Sequence, residues 1–200
     1  MQMVVSMSLH TSASRCTPYP GAAPECPEIW LLGSSPQSGI WAAELGLPYM
    51  FADFISPMGE AIAARYRAEF TPGPNLAAPR LGVAVAVVCA ESDEEAWHLS
   101  ASVRMAILLL QAGRFIPVPS PERAREFLES ELGSADAKAR NRRLIAGSPA
   151  TVRAGIEGVA REYNAEEVMV VTITHDHQAR RRSYELVADA FALAAPHRAI

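Results

Sequence analysis

Short apolar runs alternate with helix-like stretches four times along this sequence, and few folds accommodate that order. Glu28-Ile29-Trp30-Leu31-Leu32-Gly33 is the first run, ended by glycine, and the helix-like Ser38–Leu45 follows with Gly46 behind it. Pro48–Ala52, Leu81–Ala90 and Glu167–Thr172 are the other runs. Leu81–Ala90 (LGVAVAVVCA) has no charged or hydroxyl side chain, as expected of a strand covered on both faces. Between the runs the spacing predicts helices from Pro57 to about Phe70 with Ser56 as N-cap, from Ser92-Asp93-Glu94-Glu95 to about Gln111, and from Ser120-Pro121-Glu122 to about Leu132. Two more are expected from Ala150 to Tyr163, led in by Ile145-Ala146-Gly147-Ser148-Pro149, and from Gln178 to Ala194. Strand and crossover helix in alternation make a parallel α/β sheet, either open and doubly wound or half of an eight-fold barrel. A complete barrel needs roughly 250 residues, more than the 200 present.

Residues 1–26 read differently: proline, serine and threonine without periodicity make them a disordered leader before a domain over 27–195. With 50% hydrophobic residues the remainder can bury a core, and the net charge of −4 argues against nucleic-acid or anionic-membrane partners. No apolar run approaches the roughly 18 residues that span a bilayer, and the N-terminus lacks a basic n-region. Cys16, Cys26 and Cys89 have no metal-ligand spacing, which suits a reduced, cytoplasmic compartment.

The richest local chemistry is Gly33-Ser34-Ser35-Pro36-Gln37-Ser38-Gly39. Glycine lets the backbone turn off the strand, and the hydroxyls and amides then lie at a helix N-terminus, where free N–H groups and the helix dipole favour an anion such as a phosphate monoester. The alternative is that Ser34 or Ser35 simply caps the helix. Asp53, with Phe51 and Phe54, ends the next strand, a position that faces the substrate pocket in a barrel; the alternative is a polar flank of the following helix. His175-Asp176-His177 reads as a helix cap between solvated imidazoles, with no third metal ligand in view, and Arg180–Arg182 as a solvated helix face. Trp30 and Trp41 are expected in the core. No Ser-His-Asp order, CxxC pair or GxGxxG supports a hydrolase, zinc or Rossmann reading, no metal is expected, and no side chain stands out as a catalytic acid or base.

Glu28–Ser56 (EIWLLGSSPQSGIWAAELGLPYMFADFIS) resembles the middle of the bacterial luciferase-like flavin monooxygenases. Arg80-Leu81-Gly82-Val83, Gly147-Ser148-Pro149 with Thr151-Val152, Glu166-Glu167-Val168-Met169 and His175–Leu186 match further family segments in order. The resemblance implies a (β/α)8 TIM barrel of which this chain is the C-terminal half, with about four parallel strands and covering helices. It further implies a cofactor, reduced FMN or a deazaflavin, held at its phosphate by Gly33, Ser34, Ser35 and Ser38, and a substrate pocket at Asp53 and Phe51. The implied activity is oxidation of a small organic substrate with O₂; the alternative is a non-catalytic partner subunit or relic.

Half a barrel would leave sheet edges at Glu28–Leu32 and Glu167–Thr172 and an uncovered inner face near Leu31, Met50, Val85 and Val170. Self-association, or pairing with a chain carrying the N-terminal half, is the expectation that follows.

Overall fold

The computed structural model describes residues 28–56, 58–73, 76–131 and 144–193. The leader assigned to residues 1–26 lies outside the described residues. The elements run in the order β1 (Leu31–Gly33), α1 (Pro36–Glu44), β2 (Tyr49–Ala52), α2 (Glu60–Glu69), β3 (Leu81–Cys89), α3 (Asp93–Gln111), α4 (Pro121–Glu131), β4 (Leu144–Gly147), α5 (Pro149–Tyr163), β5 (Glu167–Val171) and α6 (His177–Ala190). The α/β alternation is therefore present, with a correction: the sheet has five strands instead of four. The extra one, β4, is the stretch that reads as a lead-in to α5. It pairs in parallel with the second half of β3, Ala86 beside Leu144 and Cys89 beside Gly147.

The described residues divide into two compact units, with the boundary falling inside β3. The first holds β1, β2, the start of β3, α1, α2, the end of α5 and the start of β5. Its strands are parallel and in register, Leu31 beside Tyr49 and Tyr49 beside Leu81. Tyr49 points to the helices, where its ring meets Tyr66 of α2 at 5.4 Å. Alternation then turns Met50 and Ala52 to the opposite face.

The N-terminal ends of these strands are tied by Arg80. Its guanidinium bonds Glu28 at 2.9 and 3.1 Å and also Glu167, and lies 4.8 Å from the Trp30 ring centroid. Conserving order at that end of a parallel sheet is a matter of stability, since chemistry gathers at the other. Trp41, expected in the core, is instead 53% exposed.

Helix α2 starts later than its sequence suggests. Its N-cap is Gly59 and its first residue Glu60, so Ser56 does not cap it. Met58 adopts φ 64°, and Gly59 packs so closely on Phe51 that a Cβ would overlap the ring. That packing requirement outweighs the Ser-Pro start signal.

In the second unit, α3 and α4 close over Ala101, Met105, Leu109, Ala124 and Leu128. Ser92 caps α3 by accepting from the Glu95 N–H at 3.2 Å. Asp176 caps α6 in the same way, accepting from Ala179 N–H at 2.7 Å. Buried Ser183 of α6 accepts from the Cys89 N–H at 2.9 Å, and Tyr184 from the Thr172 N–H at 3.0 Å.

The residues named for an uncovered inner face divide in two. Met50 and Val85 are buried within the chain, and Leu31 and Val170 are half-buried. Among the described residues β1 has β2 as its one neighbour, so its other edge carries no partner strand there. No helix among them is long and apolar enough to cross a membrane.

Candidate functional site

The turn from β1 into α1 is built by local chemistry. Ser35 is the N-cap, in an extended conformation, and its Oγ accepts from the Ser38 N–H at 3.3 Å. Ser38 answers it: its Oγ accepts from the Ser35 N–H at 3.3 Å and donates to the Ser35 carbonyl at 2.7 Å. The two serines thus form a reciprocal capping box, with Pro36 supplying a first helical residue that has no N–H to satisfy. Gly33 is required beneath them, since a Cβ there would overlap the Ser38 side chain.

The serines consequently differ in what they can offer a ligand. Ser38 is buried, its hydroxyl also 2.9 Å from that of Tyr49. Ser35 is exposed and Ser34 half-buried, and the Ser34 hydroxyl makes no hydrogen bond among the described residues. No acidic side chain occupies the first turn of α1. The Ser35 hydroxyl lies 3.5 Å from Ser38 Oγ, a long contact, and among the described residues no carboxylate meets the positive end of this helix.

Helix α5 shows what a satisfied version looks like. It follows a strand through Gly147-Ser148-Pro149, one serine shorter than the Gly-Ser-Ser-Pro turn before α1, with Ser148 Oγ donating to Thr151 Oγ1 at 3.2 Å. Here the anion is internal: the Asp93 carboxylate accepts from the Ser148 N–H at 2.6 Å. That backbone bond, then the Thr151 and Ser148 hydroxyls, hold the Asp93 carboxyl below its usual 3.8. A depressed carboxylate pKa means that the contact is fully present above the usual value and lost as pH falls through the lowered one. The Ser148 amide resonance should accordingly titrate below pH 3.8; a titration above that value would contradict the assignment.

Asp53 and Phe51 lie close together and fully buried. The Tyr163 hydroxyl donates to Asp53 Oδ1 at 2.6 Å and accepts from the Gly59 N–H at 2.8 Å. The Phe51 and Tyr163 rings stack at 5.4 Å with 24° between their planes. Tyr163 itself ends α5, where Arg67 of α2 donates to its carbonyl at 2.8 Å. These contacts hold the β2–α2 turn from beneath. His175 Nδ1 lies 2.9 Å from the Val118 carbonyl, and Arg182 pairs with Glu91 at 2.6 Å. Among the described residues no group of three or more His, Cys, Asp or Glu could hold a metal ion.

Sequence reasoning missed Tyr49 and Tyr163. Both look like ordinary core aromatics, and their partners, 11 and 110 residues away, carry no local signal.

A family model described as luciferase-like monooxygenase matches residues 8–166. The Bacillus subtilis (strain 168) protein YwcH is 38% identical over 197 residues, which cover 94% of this chain and 59% of that one. Among solved structures, apo-MsnO8 is 37% identical with a TM-score of 0.75, covering 87% of this chain and 54% of its own. The FMN complex of the oxygenating constituent of Pseudomonas putida 3,6-diketocamphane monooxygenase shares the fold at TM-score 0.50 and 20% identity, over 84% of this chain and 48% of that one. The chain spans about half the length of the curated relatives it matches, 59% of one and 51% of another. Its parallel sheet and covering helices correspond to about half of such TIM-barrel proteins. On the family match and the relatives' identity together, this chain belongs to the luciferase-like monooxygenase family.

Proposed function

We propose that the chain supplies the flavin-phosphate site of a cytoplasmic flavin-dependent monooxygenase that oxidises a small organic substrate with O₂. The observation that carries the reading is the start of α1: serine donors with no anion among the described residues, in contrast to α5 with its Asp93. A phosphate dianion there gains charge-assisted hydrogen bonds and the helix dipole. Ser34 and Ser35 donate to it from their hydroxyls, Ser38 holds Ser35 in place from behind, and Gly33 gives Ser38 the room to do so. FMN is the flavin favoured, as in the diketocamphane enzyme of shared fold, with a deazaflavin as the other choice. When bound, the reduced flavin supplies the oxygen-activating chemistry.

The protein's own work is to orient that group and keep water from it. Asp53 and Phe51 serve the substrate pocket by fixing the β2–α2 turn beneath it, a role supported by their buried contacts with Tyr163. Among the described residues one edge of β1 has no partner strand, and that edge suits either a second copy of the chain or a chain carrying further strands.

Fluorescence titration with FMN and riboflavin tests the phosphate site. FMN should bind at least about tenfold more tightly, since each hydrogen bond to a charged group contributes about 1.5–3 kcal/mol. Equal affinity for the two flavins, or no binding of either, would overturn it.

A further inference from the structure

We propose that Tyr49 is a positioning residue whose buried hydroxyl sets the shape of the Gly33–Ser38 phosphate turn; the inference rests on the phosphate reading of that turn. The Tyr49 ring is fully buried on β2, the strand beside β1, with Tyr66 at 5.4 Å and Phe51 edge-on at 6.4 Å. Held on both sides, the ring has one place for its hydroxyl. That place is 2.9 Å from Ser38 Oγ and 3.1 Å from the Gly33 carbonyl. One phenol therefore touches both limbs of the turn, the last residue of β1 and the third residue of α1.

The contact continues to the donors themselves. Ser38 Oγ exchanges two hydrogen bonds with the Ser35 backbone, at 2.7 and 3.3 Å, so a hydroxyl fixed by Tyr49 fixes the backbone of Ser35. Burial also raises the phenol above its ordinary 10.0, which keeps its proton in place at neutral pH. A residue that only filled the core could be phenylalanine. Tyr66 provides the contrast: equally buried, it spends its hydroxyl on the Leu47 and Arg80 carbonyls at 2.9 and 3.1 Å, away from the turn. Preorganised donors bind more tightly than mobile ones because the ordering has been done before the ligand arrives.

The test uses the full chain with FMN and riboflavin as paired probes. Tyr49→Phe should weaken FMN by about tenfold and leave riboflavin within about twofold, the loss being that of the phosphate contacts alone. Tyr66→Phe should leave the ratio of the two affinities at the parental value. If Tyr49→Phe fails to fold by circular dichroism, Ser38→Ala breaks the same contact from its other end and should produce the same selective loss. An unchanged ratio in the variant that folds, equal weakening of both flavins, or the same selective loss in Tyr66→Phe would overturn the role of Tyr49. A parent chain that does not distinguish FMN from riboflavin would instead remove the phosphate site itself, and the positioning role with it.

Discussion

Replacing Tyr163 with alanine should cost the chain about 3–5 kcal/mol, the range for removing a large aromatic from a packed core. The side chain is 1% exposed and stacks on Phe51 at 5.4 Å, so truncation opens a cavity under β2. Its hydroxyl also leaves Asp53 and the Gly59 N–H, partners at 2.6 and 2.8 Å that have little access to water. A loss of that size is a large part of the roughly 5–15 kcal/mol that stabilises a typical domain. Tyr163→Phe isolates the hydroxyl and should cost only about 1–3 kcal/mol. Urea denaturation of the two variants beside the parent provides the comparison. A Tyr163→Ala loss below about 0.5 kcal/mol, within the scatter of surface substitutions, would show that the stack and its hydrogen bonds do not order this region.

The second large effect concerns the ligand. Changing both Ser35 and Ser38 to alanine removes one donor to the phosphate and the capping box that holds the remaining donors. The direct loss is a hydrogen bond to a charged group, about 1.5–3 kcal/mol or roughly 10- to 100-fold in affinity, and the freed turn adds to it. The helix should survive, because losing an N-cap costs about 0.5–2 kcal/mol. FMN should suffer the whole effect and riboflavin little of it. Equal weakening of both by isothermal titration would mean that the serines serve only the helix.

Much of this fold was legible because its signals are local. The apolar runs Glu28–Gly33, Pro48–Ala52, Leu81–Ala90 and Glu167–Thr172 each hold a strand, Leu31–Gly33, Tyr49–Ala52, Leu81–Cys89 and Glu167–Val171, and the Ser-Asp-Glu-Glu and Ser-Pro-Glu starts gave α3 and α4 where expected. Failures came where distant parts of the chain decide. Strand β4, Leu144–Gly147, is fixed by pairing with β3, and its Ile-Ala-Gly-Ser-Pro context reads locally as the approach to a helix. The start of α2 moved from Ser56 to Gly59 because Phe51 needs a residue without a Cβ over its ring. At the site, Gly-Ser-Ser-Pro announces an anion-ready helix start through its own residue types. Nothing near Tyr49 in sequence says that its hydroxyl meets Ser38, and nothing near Asp53 points to Tyr163. Hydroxyl contacts made across strands leave no periodicity to read.

The position of the phosphate in a crystal of the chain grown with FMN tests most directly whether the start of α1 receives it. The phosphate oxygens should lie within about 3 Å of the Ser34 and Ser35 hydroxyls, the ordinary reach of a charged hydrogen bond. Ser38 should keep its 2.9 Å contact with Tyr49. A phosphate bound away from this turn, with Ser34 and Ser35 untouched, would contradict the account.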